Sequence, residues 1–175
     1  MTPQRIIPLL VALVAGAGCS QRPAPTPRPE AYPRIAVYEP QYHPVSFGAL
    51  QLAVNDSARI DSIAPGWFNI VYPAYGITVN CTITDAKNLA TTLLNRHDRF
   101  RRNLGGRKAQ VLRMPGSELI VAPEVLKTPV QFILTDSATF VLSGVAVSRW
   151  DETTNPDSVA PQINALAADI AYMLK

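Results

Sequence analysis

The chain has few of the residues from which metal centres and catalytic sites are built. Its 175 residues include two histidines, His43 and His97, and two cysteines, Cys19 and Cys81. Two histidines fall short of a three-ligand metal set unless carboxylates from elsewhere in the chain join them. The sequence also lacks a Gly-x-Ser-x-Gly turn and a glycine-rich phosphate loop, so neither a serine nucleophile of that kind nor a nucleotide site is indicated. We therefore expect a protein that is not an enzyme and that carries no metal or cofactor.

Charge of either sign is also scarce. The 16 basic and 13 acidic residues give a formal net charge of +3, and so small an excess does not predict nucleic-acid binding. The most uneven charge is a basic cluster formed by Arg96, Arg99, Arg101, Arg102, Arg107 and Lys108. Two interpretations of this basic cluster stay open: a solvated helix face, or a surface that docks onto anionic lipid headgroups or an acidic partner.

The apolar run at the N-terminus is short. It covers residues 6–18, 13 in all, which is too few to span a bilayer stably and matches the hydrophobic region of a signal peptide. We expect residues 1–18 to be removed. Gly16-Ala17-Gly18-Cys19 resembles a bacterial lipobox, which implies cleavage by signal peptidase II before Cys19 and attachment of diacylglycerol to the Cys19 thiol. The alternative is an ordinary secretory signal cut after Ala15 or Ala17.

A proline-rich segment follows the predicted lipidation site. Residues 19–33 contain five prolines and show no apolar periodicity, a composition typical of polyproline II and of semi-rigid spacers. We interpret this segment as a tether to one folded domain, residues 34–175. A chain of 175 residues with 47 % hydrophobic content can bury one core and is too short for two ordinary domains. If Cys19 begins the mature chain, 175 − 18 = 157 residues remain, Cys81 is the only other thiol, and no intrachain disulfide can form.

The stretch around which the domain is organised is 128–147, TPVQFILTDSATFVLSGVAV. Apolar residues occupy both faces of its two arms, 130–135 and 140–147. Asp136 and Ser137 between the arms are typical of a turn. A strand pair that is apolar on both faces belongs in the middle of a sheet covered by helices. We therefore predict a core hairpin here.

Other strands are expected on both sides of this hairpin. Candidates lie at 34–38 and 47–54, with Pro40 and Pro44 interrupting the chain between them, and 55–65 is expected to be a loop. Two further hairpins are expected, one from 67–72 with 77–84 and one from 109–114 with 118–122.

Two amphipathic helices complete the expected fold. The first runs from an N-cap at Asp85 to about Asn103 and is stopped by Gly105-Gly106. The second ends the chain after a cap at Asp157 or Ser158. The sequence therefore predicts an α+β domain, a mostly antiparallel sheet flanked by two main helices, whose proportions resemble the Mog1/PsbP α-β-α sandwich.

Cys81 and His97 are the two side chains in this domain that could most readily take part in catalysis. Cys81 shares an apolar strand face with Ile77 and Val79, which is typical of a small buried residue rather than of a nucleophile. His97 lies on the apolar stripe of the first helix, and we interpret it as a partly buried, hydrogen-bonded side chain. An enzyme that used both residues would need them within hydrogen-bond reach of each other.

Five segments in order carry a family resemblance: RPEAYPRI, WFNIVYP, DAKNLATTLLN, TPVQFILTDS and DSVAPQINALAADI. In that order and spacing the chain resembles the gliding motility lipoprotein family GldD of Bacteroidota, from about Arg28 to the C-terminus. The resemblance implies a non-enzymatic component of the gliding motility and type IX secretion machinery that supports other envelope lipoproteins through protein-protein contacts. Because Ser20-Gln21-Arg22 lacks an acidic run associated with surface export, we expect the periplasmic face of the outer membrane, with neither nucleic acid nor a small-molecule substrate as partner.

A periplasmic ligand- or carbohydrate-binding module is the alternative. It would use exposed aromatic rings for stacking, and the candidates are Trp67, Tyr72, Tyr75 and Trp150. Such residues also occur in cores and at their rims. Burial of both tryptophans with no apolar cleft beside them would remove the support for this alternative.

Overall fold

Nine β-strands and two α-helices form the part of the chain that the computed structural model describes, residues 40–48 and 50–175. The strands are β1 Tyr42–Phe47, β2 Leu50–Asn55, β3 Arg59–Ala64, β4 Trp67–Tyr72, β5 Ile77–Asp85, β6 Gln110–Met114, β7 Ser117–Val121, β8 Val130–Thr135 and β9 Phe140–Ser148. The helices are α1 Leu89–Leu104 and α2 Pro156–Met173. All strand pairs among these residues are antiparallel. The expectation of an α+β domain with a large antiparallel sheet and two helices is confirmed.

Seven of the strands make one sheet, in the order β3-β4-β5-β9-β8-β7-β6, and β1 pairs with β2 in a separate hairpin. The predicted core hairpin is the β8–β9 pair, and β9 lies at the centre of the sheet. Buried side chains occupy both faces of these two strands. The hairpins predicted at 67–84 and 109–122 are also confirmed, as β4–β5 and β6–β7.

The turn between β8 and β9 is organised by Asp136. Its Oδ1 accepts hydrogen bonds from the backbone N–H groups of Ala138, Thr139 and Phe140 at 3.0, 2.8 and 3.1 Å, and the Thr139 hydroxyl donates to Oδ2. These bonds, led by that of the Thr139 hydroxyl, hold the pKa of Asp136 well below its usual range. Ser137 takes a left-handed conformation, with φ +62°, so the predicted Asp136-Ser137 turn is confirmed.

The two faces of the sheet are covered by different elements. On one face, α2 and the β1–β2 hairpin cover the larger core, which contains Phe68, Val79, Phe132, Ile163 and Leu166. Phe47 of the hairpin stacks on Phe68 with 3.8 Å between ring centroids. On the other face, α1 inserts Phe100 among Ile120, Ile133, Val141 and Val145. The helices therefore lie on opposite sides of the sheet.

The predicted C-terminal end of α1 at Gly105 is confirmed, whereas the predicted N-caps of both helices are wrong. Gly105, with φ +58°, ends α1 by donating its N–H to the Arg102 carbonyl at 3.1 Å. Asp85, however, ends β5 and makes no capping bond; a 3₁₀ turn at Ala86–Asn88 precedes α1. The cap of α2 is Asn155, whose side chain accepts from the Asp157 N–H at 3.0 Å. The cap precedes the predicted Asp157 because proline is favoured at the first helical position, which Pro156 occupies.

Two predictions near the start of the domain were wrong, a strand at 47–54 and a loop at 55–65. The predicted strand 47–54 is split between β1 and β2 by a turn at Gly48, with φ +65°. Pro44 lies inside β1, where it is tolerated because no described strand pairs with the outer edge of β1. The predicted loop 55–65 contains β3, an edge strand whose exposed residues lack apolar alternation. The predicted strand 34–38 lies outside the described residues.

Candidate functional site

Several features that the sequence predicts lie in the undescribed part of the chain. Cys19, the signal peptide 1–18 and the tether 19–33 are all outside the described residues, so their assignment stays a prediction. Within residues 40–48 and 50–175, neither helix has the combination of length and apolar composition needed to cross a bilayer.

Cys81 and His97 lie on opposite faces of the sheet. Cys81 is buried in the larger core beneath α2, and burial raises the pKa of its thiol. His97 belongs to α1 on the other face, with its side chain 44 % exposed and Nδ1 3.5 Å from Glu118 Oε1. A cysteine-histidine pair is therefore not formed, and Cys81 is the small buried residue that its strand pattern predicts. Among the described residues no group of three metal-ligating side chains occurs.

The four candidate stacking aromatics do not share a surface. Tyr72 is buried under α2 and stacks on Tyr75 with 5.8 Å between centroids, and Trp150 is partly buried against the same core. Trp67 differs, because this residue is 58 % exposed. Of the predicted set, Trp67 is the one with an open ring.

Trp67 lines a groove between α1 and strands β4 and β5, which we call the Trp67 groove. Two cross-strand pairs form its floor, Trp67 opposite Thr82 and Asn69 opposite Asn80. Directly opposed side chains in antiparallel strands have Cβ atoms only about 5 Å apart. The space has a volume of about 400 Å³, and its lining includes Ile63, Trp67, Asn69, Asn80, Thr82, Arg96 and Arg99.

Two arginines of α1 form the wall of the Trp67 groove. Arg96 Nη2 donates to Thr84 Oγ1 at 3.1 Å, which holds its guanidinium against β5. Burial, and secondly the positive charge of Arg99, lowers the pKa of Arg96. Neither arginine has a carboxylate within 4.0 Å among the described residues. Asp61, which lies opposite Asn69, is paired with Arg59 at 3.0 Å.

The predicted basic cluster is therefore divided. Arg96 and Arg99 face the Trp67 groove, whereas Arg107 lines a separate space of about 460 Å³ beside the loops before β8 and α2. That second space also contains the carboxylates Glu124, Asp151 and Glu152, so its charge is mixed. Arg101, Arg102 and Lys108 are exposed and line neither space.

A buried carboxylate, Asp169 of α2, was not singled out from the sequence. It is 4 % exposed, and its Oδ1 accepts from the Tyr42 hydroxyl at 2.8 Å and from Asn55 Nδ2 at 3.0 Å. Its Oδ2 is buried without a hydrogen-bond partner. Asp169 thus fastens the β1–β2 hairpin to α2. Asp169 lies three residues after Leu166, on the apolar stripe of the helix, and this position could have indicated a buried carboxylate from the sequence.

Tyr42 is expected to make the protein less stable in alkali. Burial, and next the hydrogen bond to Asp169, raises the pKa of Tyr42 from 10.0 to about 12. The folded protein therefore holds the Tyr42 hydroxyl proton more tightly than the unfolded chain does. The contribution of this protonated hydroxyl to stability is complete below pH 10 and is lost as pH rises through 12. In urea unfolding measured from pH 8 to 12, Tyr42→Phe should show a smaller fall in midpoint than the wild type.

The matched control for Tyr42→Phe is Tyr172→Phe. Tyr172 stacks on Tyr42 with 4.0 Å between centroids and is 47 % exposed, so removal of its hydroxyl should leave the alkaline fall in place. Burial also raises the pKa of Tyr72, and some alkaline fall should survive in both variants. An identical pH profile for Tyr42→Phe and the wild type would contradict the prediction.

Comparison with known proteins identifies no relative of this chain. No protein-family model, curated protein or solved structure matches it.

Proposed function

We propose that this protein is an envelope lipoprotein, anchored through Cys19, that serves the gliding motility and type IX secretion machinery as a non-enzymatic accessory or assembly component. Two sequence features support this proposal. Five segments, in their order along the chain, resemble the GldD family, and the sequence before Cys19 resembles a lipobox. The proposal places it on the periplasmic face of the outer membrane with other envelope lipoproteins as partners. We also propose that the α+β domain is a Mog1/PsbP-like α-β-α sandwich.

The observation that carries a contact-based function is the exposed edge of the sheet at β6. Val111 and Leu112 are 45 and 48 % exposed and point to opposite faces of this strand. No described strand pairs with the outer edge of β6. Proteins usually protect such edges, and an apolar edge can bind an extended segment of a partner by strand addition.

Deletion and complementation in the source bacterium test this proposal. Loss of the protein is expected to lower type IX cargo secretion and the amounts of partner lipoproteins, and the wild-type chain should restore both. Leu112→Lys should reduce crosslinked partner recovery about tenfold or more, because a partner that covers this position would then have to bury an unpaired ammonium group. Cys19→Ser should also fail to complement the deletion strain, since it removes the thiol that is proposed to carry the lipid.

Leu94→Lys is the matched control for the edge variant. Leu94 is 62 % exposed on α1, so the same substitution is made at an apolar surface residue of a different element. This variant should complement as the wild type does. Normal cargo secretion and unchanged lipoprotein levels in the deletion strain would contradict the proposal. Full complementation by Leu112→Lys would show that the β6 edge is not the surface that contacts the partner.

A further inference from the structure

We propose that the Trp67 groove binds an acidic saccharide, an oligosaccharide of carboxylated sugars. This activity goes beyond the proposed assembly function and does not depend on it. The inference rests on three properties of the groove: an open aromatic face, paired amides on its floor, and two guanidinium groups on its wall.

The floor of the groove suits a sugar ring. Sugar rings present flat C–H faces that stack on an indole, and Trp67, which is 58 % exposed, supplies an indole at one end of the floor. Beside it, Asn69 and Asn80 are direct cross-strand neighbours. Each amide offers both donors and an acceptor, the combination that sugar hydroxyls require.

The wall of the groove supplies the preference for an acid. A guanidinium binds a carboxylate through two parallel hydrogen bonds. Arg96 is already oriented by its bond to Thr84, and Arg99 lies close enough for its charge to lower the pKa of Arg96. An anion between the two would relieve this repulsion, so a negatively charged ligand should gain more from the groove than a neutral one.

The composition of the groove favours a saccharide over other anions. A phospholipid headgroup would use the arginines and leave Trp67 and the asparagines without a role. Single-stranded nucleic acid is bound by extended positive grooves that follow the phosphates, whereas the Trp67 groove has two cations. Its volume of about 400 Å³ lies within the usual range for small-ligand pockets, and one or two sugar units are the size we expect it to hold.

The test is calorimetric titration of the full chain, purified in detergent, with hexagalacturonate and with hexamannuronate. Maltohexaose serves as the uncharged probe. We expect binding of at least one uronate at low salt, weakening as salt is added, and at least tenfold weaker binding of maltohexaose. Trp67→Ala and Arg99→Ala should each reduce uronate affinity about tenfold or more.

Arg101→Ala is the matched control for Arg99→Ala. Arg101 lies on the same helix but outside the groove, so its loss should leave uronate affinity within about twofold. Both Trp67 and Arg99 are exposed, and circular dichroism should show every variant folded.

Three outcomes would overturn the proposal. One is the absence of uronate binding, and another is equal binding of maltohexaose. The third is uronate binding that Trp67→Ala and Arg99→Ala leave unchanged, which would place it elsewhere. Binding to phosphatidylglycerol vesicles or to oligodeoxythymidylate, with none to the uronates, would assign the arginines to those ligands instead.

Discussion

Gly144→Ala is expected to destabilise the protein by about 3 kcal/mol, the upper end of the usual cost of overpacking a core. Gly144 lies directly opposite Phe132 in the β8–β9 pair. A methyl group at Gly144 would lie 2.1 Å from Phe132 Cε1 and 2.3 Å from Cζ. Because Phe132 is fully buried, its ring has no free space into which to move. Urea unfolding should show a lower midpoint with an unchanged m-value.

A double-mutant cycle separates this clash from other effects of the alanine. Phe132→Leu removes the two ring atoms nearest to the new methyl group. In the Phe132→Leu background, Gly144→Ala should therefore cost less than about 1 kcal/mol, and the two substitutions should be strongly non-additive. Equal cost of Gly144→Ala in both backgrounds would show that the ring is not responsible.

Asp169→Ala is the second substitution with a large expected effect, a loss of about 2–4 kcal/mol. It would leave the Tyr42 hydroxyl and the Asn55 amide without the acceptor that both use. A buried donor left without its acceptor costs about 1–3 kcal/mol, and of the two donors affected here Asn55 is buried and Tyr42 is partly buried. The midpoint of urea unfolding measures the loss.

Asp169→Asn is the matched variant, because it keeps an acceptor at the position of Oδ1. Oδ2 has no partner, so no existing hydrogen bond is lost when an amide nitrogen replaces it. Asp169→Asn should therefore destabilise clearly less than Asp169→Ala. If Asp169→Ala remained within about 0.5 kcal/mol of the wild type, Asp169 would not be fastening the hairpin to α2.

Elements with local sequence signals could be predicted. The β8–β9 pair was found because its residues are apolar on both faces, and α1 because its apolar residues recur at helical spacing up to Gly105. The edge strand β3 was missed, since a strand with one partner and exposed side chains needs no apolar alternation. The N-caps were missed because several polar residues before each helix can serve as caps.

The Trp67 groove could not be predicted as a unit from the sequence. Trp67 was selected as a possible stacking residue and Arg96 as part of the basic cluster, but they are 29 positions apart. Their proximity follows from the β4–β5 register and from the path of α1 across the sheet. A register shift of one residue would turn Trp67 and Asn69 to the opposite face, and composition alone does not fix this register.

The unequal burial of the two helices has a dynamic consequence. Six side chains of α2 are buried, including Ile163, Leu166 and Ile170, whereas Phe100 is the single buried side chain of α1. Sub-global opening begins where the least apolar surface is buried, so α1 should separate from the sheet at a lower free energy than α2. One wall of the Trp67 groove is therefore carried by the more easily opened layer, and native-state breathing of α1 can widen the groove while the larger core stays closed.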